Sequence, residues 1–339
     1  MIKNIKWKQY TIYIVLIAAL VAFALWSGTG EMARSTYTQL ENATIAMVLA
    51  SSLCLVVGFL GELSLGHAGF MCIGAFIGGK LSVILTEAKF MGGNELGIMF
   101  IALIVGGIAA AIVGFLVGLP ALRLRGDYLA IVTLGCGEII KNVITNLKIT
   151  GGALGLNTRP IYSQPAQLLP FVAVLVLITV IVMMNLKRSR HGRAITAIRD
   201  NRIAAEATGI NVTYYKLMVF VLAAFFAGMA GVIYGHALAN VKAVAFDYNM
   251  SIEILVIVVL GGMGSVRGSV IAAIVLQALP ELLREFSDYR MLLYSILLIV
   301  IMLLNSSPKF AELKGRWSIK NVITYFKAKK AGVAAGKEE

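Results

Sequence analysis

Apolar residues in this chain fall in long blocks and do not alternate with polar ones. The blocks run roughly 10 to 27, 41 to 60, 64 to 85, 97 to 119, 128 to 147, 168 to 186, 215 to 239, 251 to 279 and 289 to 305. A membrane span needs roughly 20 mostly apolar residues, and in hydrocarbon the backbone must satisfy its own hydrogen bonds, which favours helices. The pattern predicts an all-α, polytopic membrane protein of about ten transmembrane or re-entrant helical segments.

The polar intervals set an orientation. Lys and Arg gather at the start (Lys3, Lys6, Lys8), in the 120s loop (Arg123, Arg125), at 187 to 202 and from Lys309 onward, whereas the other turns carry offsetting acid such as Glu31, Glu87, Glu95, Glu281 and Asp288. Basic loops stay cytoplasmic, which puts both termini inside. That parity holds only if the block at 251 to 279 crosses twice or re-enters. Gly261, Gly262 and Gly264 supply the break, each costing about 1 kcal/mol relative to Ala in a helix interior. Close helix packing through small residues is the other reading of the same glycines.

Composition agrees with the blocks. Charged residues make up 14% of the chain against about 25% in soluble domains, and 59% are hydrophobic. The net charge of +13 lies in loops and termini, and no nucleic-acid-binding motif accompanies it. The block at 10 to 27 reads as an uncleaved span, being longer than a signal-peptide core and lacking an immediate small-x-small site. Cys54, Cys72 and Cys136 sit inside apolar blocks and read as small hydrophobes. Residues 1–308 are expected to form the membrane domain, with a cytoplasmic loop at 187–214, and residues 309–339 a basic tail. In that tail Ile319, Val322, Ile323 and Phe326 recur at helical spacing, so it reads as an amphipathic helix on the inner leaflet or a solvated segment, with a disordered end.

Enzyme motifs are missing. There is no GxxxxGK[ST], HExxH or GxSxG, and His67, His191 and His236 are too scattered for a metal site on one helix, so neither catalysis nor a metal is expected of this chain. Polar residues at membrane depth carry more information. GELSLGHAGFMCIGAFIGG opens the third block with Glu62, Ser64 and His67, and Glu138 with Lys141 shares a face of the least hydrophobic block at i, i+3. They line a translocation path, or they cap and glue helices. The segment KRSRHGRAITAIRDNRIAAEATGIN is longer than orientation demands. Read as one helix, it puts Ala194, Ala197, Ile198, Ala204 and Ala205 on one side and Arg199, Arg202 and Glu206 on the other, with Gly209 as its stop. A docking element for a cytoplasmic partner fits this pattern, and so does a plain solvated loop helix.

Several motifs together resemble a known family. GDYLAIVTLGCGEIIK, ITGGALGL, HGRAITAIRDNRIAAEATGINVTYYKLMVFVLAAFFAGMAGVIYG and VVLGGMGSVRGSVIAA are similar, in that order, to permease subunits of branched-chain amino acid ABC importers of the LivM type, and GELSLGHAGFMCIGAF fits the same family. The resemblance spans about residues 40 to 305. It implies a permease in the bacterial inner membrane that pairs with a homologous second permease above two ABC ATPases, with a substrate-binding protein outside. ATP and Mg would sit on the ATPases, and this chain would bind no cofactor. It also implies that 193–209, with Arg193, Arg199, Asp200, Arg202, Glu206 and Gly209, is the coupling helix. One departure stands out: Gly209 follows Glu206 by three residues, where the EAA signature of many importers has six. Relatives in the class import urea, short amides or other amino acids. A proton-coupled secondary transporter using Glu138 is the rival of a different class.

Overall fold

Seven helices among the described residues are long and apolar enough to cross a membrane, and an eighth apolar helix, Val266–Pro280, is shorter. The computed structural model describes residues 34–89, 95–124, 126–158, 165–238 and 240–283. The expected block at 10 to 27 and the tail from 309 lie outside these residues. The block at 289 to 305 contributes only Leu292, Ser295, Ile296, Ile299, Val300 and Leu303, all helical and exposed.

The order is α1 (Arg34–Cys54), continued by a π turn at Leu55–Leu60, then α2 (His67–Glu87), α3 (Glu95–Ala121), α4 (Asp127–Asn146), α5 (Pro165–Arg188), α6 (Arg190–Asp200), α7 (Arg202–Ala207), α8 (Val212–Leu238), α9 (Tyr248–Gly261) and α10 (Val266–Leu282). The start of several helices is written in a short polar residue whose side chain takes an orphan amide. Ser189 Oγ accepts from Gly192 N at 3.1 Å, Asn201 Oδ1 from Ala204 N at 3.0 Å, Asn211 Oδ1 from Tyr214 N at 3.0 Å and Asp247 Oδ1 from Met250 N at 3.0 Å.

Helices α2, α3 and α8 form the centre of the unit that ends at Ala278. Lipid is as apolar as leucine, so helices there associate through close approach of small residues and not through hydrophobic burial. A Cβ on Gly74 of α2 would lie 2.6 Å from Gly228 Cα of α8, and one on Gly228 would lie 3.2 Å from Gly107 Cα of α3. Phe70 and Phe220 fill the space beside this seam edge to face, 5.4 Å between centroids. On the far side of α3, Leu96, Phe100, Ile104, Ile108, Ile112 and Leu116 are exposed at every fourth position, the mark of a lipid-facing stripe.

Segment ITGGALGL becomes two 3-10 turns leading into β1 (Leu156–Asn157), which pairs antiparallel with β2 (Asn240–Val241), Leu156 opposite Val241. Thr158 Oγ1 donates to Gly235 O at 2.9 Å and fastens this ribbon to the end of α8. The block at 251 to 279 is two helices: α9 stops at Gly261, and Gly262 and Gly264 turn the chain at φ +91° and +87° before α10 begins.

Candidate functional site

Connectivity gathers the ends of α1, α5 and α9, the starts of α2, α8 and α10, and all of α6 and α7 at one end of the bundle. The polar residues of GELSLGHAG converge there. The π turn stops at Gly61, which has φ +76°, and an extended run to Gly66 leads into α2. Glu62 is ion-paired with Lys216 of α8, whose side chain is only 4% exposed. Leu65 N donates to Thr133 Oγ1 of α4 at 3.0 Å, and Ala68 N to Ser251 Oγ of α9 at 3.1 Å, so side chains from two other helices satisfy amides at the start of α2. His67 Nε2 lies 2.9 Å from Ser52 Oγ of α1, buried. Ser52 Oγ itself donates to Leu49 O, which leaves it to accept from a His67 Nε2–H. Ser64 Oγ is buried with no hydrogen-bond partner among the described residues. Ser64, in the extended run, and His67, in the first turn of α2, are both buried.

The basic segment corrects one expectation. Residues 193–209 are not one helix, because the chain breaks at Asn201 (φ −155°, ψ 105°). Asn201 side chain and backbone compete for helical partners, and here its Oδ1 starts a second helix while its own N–H still closes α6 onto Ala197 O at 3.0 Å. The break redistributes the faces. Ile195, Ile198 and Ala205 are buried, whereas Ala204 is exposed with Arg193, Asp200 and Glu206. Ile203 is 80% exposed. Arg202 Nε and Glu206 Oε1 pair at 2.9 Å along α7, and Gly209, at φ +84°, closes that helix.

Arg199 does not project with them. Its Nη1 donates to Gly58 O in the π turn at 3.1 Å, while Nε and Nη2 hold Asp200 Oδ1 at 3.1 and 2.9 Å. Lys187, at the end of α5, donates to Gly264 O at 2.7 Å and lies 4.7 Å from the Phe59 ring centroid. Lys216, Gly58 and the role of Lys187 were not visible as a site in the sequence. The spaced glycines of GFLGE were the one local signal that a backbone approaches there.

Glu138 and Lys141 are ion-paired on α4. They share that helix with exposed Tyr128, Ile131 and Ile139 and with exposed Asn142 and Asn146, beside a shallow groove lined by Ile139, Asn142, Val143 and Asn146. Unlike α3, this face mixes apolar, amide and charged groups, an arrangement lipid does not favour. A separate cavity of about 210 Å³ opens between α1, α8, α9 and α10, with Asn42, Tyr234, Glu253 and Gln277 among its walls.

The family described as "Branched-chain amino acid transport system / permease component" matches residues 36–304. The high-affinity branched-chain amino acid transport system permease protein LivM of Escherichia coli is 33% identical over 331 residues, covering 88% of this chain and 74% of that protein. The LivM protein of Salmonella typhimurium gives the same identity and coverage. The permease protein LivH of the same Escherichia coli system is 23% identical over 286 residues, 77% of this chain and 89% of LivH. No solved structure matches the chain. The family match over residues 36–304, in a chain with seven described helices long and apolar enough to cross a membrane, makes this protein a member of the permease components of branched-chain amino acid transport systems.

Proposed function

We propose that this chain is the membrane permease of an ATP-driven importer that carries branched-chain amino acids inward across a bacterial cytoplasmic membrane, with both chain ends in the cytoplasm. The family match over residues 36–304 carries the reading. A chain with no nucleotide-binding motif cannot move solute uphill alone, so two ABC ATPases, with ATP and Mg bound to them, supply the free energy, and a binding protein delivers substrate from outside. LivM and LivH are separate, mutually related permease names within one system of Escherichia coli, which supports pairing with a homologous second permease.

The residues divide the work. Arg193, Asp200, Arg202, Ile203 and Glu206, exposed or half-exposed on α6 and α7, form the surface that docks on an ATPase. The face of α4 with Glu138 and Lys141 turns toward the second permease and the path between them, where protein and water replace lipid around the charges.

The test is reconstitution of the chain with a homologous permease, two ATPases and a binding protein in proteoliposomes. Leucine or valine uptake should require internal or external ATP at the ATPase face and persist when a protonophore collapses the proton gradient. Uptake that follows the proton gradient and ignores ATP refutes the reading in favour of a secondary transporter. Charge reversal at Arg202 should lower uptake and substrate-stimulated ATPase activity with membrane insertion intact.

A further inference from the structure

Two cations of the basic segment reach the interruptions of two membrane helices. Gly58, whose carbonyl takes Arg199 Nη1, lies in the π turn that ends α1, and Gly264, whose carbonyl takes Lys187 Nζ, lies in the turn between α9 and α10. The Gly58 carbonyl, at the C-terminal end of a helix, lacks a helical donor and carries negative partial charge, and the Gly264 carbonyl lies in a turn outside either helix, so a cation is a fitting partner for each. The two interruptions also touch. A Cβ on Gly58 would lie 2.8 Å from Gly264 Cα, and one on Gly264 would lie 3.3 Å from Gly58 O. Arg199 leans its stem on the same corner, its Cγ 2.7 Å from where a Cβ on Gly61 would stand.

We infer that Arg199 and Lys187 are positioning residues that fasten the α5–α6 corner to the π turn of α1 and to the α9–α10 break, so that a displacement of α6 reaches both interruptions at once. The inference rests on the importer reading and extends it, because docking alone does not say which part of the bundle is moved. An intact span holds all its backbone bonds and moves as a rod. The π turn and the glycine turn have already left the regular ladder, with Gly61, Gly262 and Gly264 at positive φ, and there the chain can pivot at low cost. Asp200 holds the guanidinium in place from the other side.

The experiment follows uptake and ATP hydrolysis on the same proteoliposomes, using the assembled permease with its partner subunits. Arg199→Met and Lys187→Met keep the apolar stems and remove the charges. Each should raise the ATP hydrolysed per substrate imported by at least about fivefold, the lower end of ordinary coupling between sites. Arg199→Lys should restore part of the coupling. A fall in both rates at an unchanged ratio overturns the inference, since lost docking gives that result.

A second variant does not depend on the methionine forms folding. In a background carrying Cys54→Ala, Cys72→Ala and Cys136→Ala, the pair Gly61→Cys with Arg199→Cys replaces the fastening by a disulfide. The Cβ of residue 199 lies 3.7 Å from the Cβ position of residue 61, inside the range a disulfide bridges, and Gly61→Cys alone, which carries the strain of a side chain at φ +76°, is the reference for both redox states. The reduced pair should be uncoupled and the oxidised pair should recover the parent ratio. An oxidised pair that stays uncoupled overturns the inference. Uptake by the unaltered assembly that ignores ATP refutes the importer reading itself, and the control without substitutions tells the two failures apart.

Discussion

Gly74→Ala and Gly135→Ala add the same methyl group to two membrane-length helices, and the structure gives them opposite signs. A Cβ on Gly74 would stand 2.5 Å from the carbonyl carbon and 2.6 Å from the Cα of Gly228. Carbon atoms rest about 3.5–4.0 Å apart, so α2 and α8 must separate by about 1 Å. Helix α8 has nowhere to retreat, because Gly228 in turn lies against Gly107 of α3 and its added Cβ would be 3.2 Å from that Cα. A radial gap of about that size forfeits a quarter to a half of the local dispersion attraction, and overpacking typically costs about 1–3 kcal/mol, so about 2–3 kcal/mol is expected here. Gly135 has no atom within 4 Å of its Cβ position, and alanine gains up to about 1 kcal/mol there from helix propensity. The two variants should therefore differ by roughly 3 kcal/mol in reversible unfolding of the purified chain in mixed micelles, followed by circular dichroism. Equal stabilities within about 0.5 kcal/mol would refute the glycine seam as the element that sets the α2–α8 distance.

Lys216 is buried and its partner Glu62 partly so, so Lys216→Met should cost up to about 3 kcal/mol by leaving a poorly solvated, unpaired carboxylate, while Glu62→Gln with Lys216→Met should recover most of it; a double variant no better than the single one in the same unfolding assay contradicts this. Thr133→Val removes the acceptor for Leu65 N and should cost about 1–3 kcal/mol, whereas Thr133→Ser should be nearly neutral. Asn201→Ala loses the cap of α7, about 1 kcal/mol, and should speed hydrogen exchange across 202–207 while leaving α6 protected; unchanged exchange there would show that the cap does not hold α7.

Much of the architecture is a local property and was therefore legible. Hydrocarbon offers the backbone no hydrogen-bond partner, so a block such as 97 to 119 has no alternative to helix, and it lies within α3. Helix α9 ends at Gly261, and Gly262 and Gly264 follow at φ +91° and +87°, which glycine alone tolerates readily. The resemblance read over about residues 40 to 305 agrees with the family match over 36–304.

What the sequence could not decide was which distant group each polar residue would meet. Asn201 sits in an otherwise helical run, and one straight helix would also have put Ile198 and Ala205 on a common face, so the burial of both left the break itself unannounced. Arg199 read as one more solvent-facing cation, yet its partner is a carbonyl 141 residues earlier in the chain, exposed to it by a π turn that no local pattern announces. Glu62 looked like a polar cap and became half of a partly buried ion pair through Lys216, 154 residues away. By itself the sequence determined that the chain crosses a membrane as helices, where one block is broken and which family it joins. Only the tertiary structure decided which cations bind the broken helix ends, because those bonds depend on helices being brought together at glycine contacts far apart in sequence.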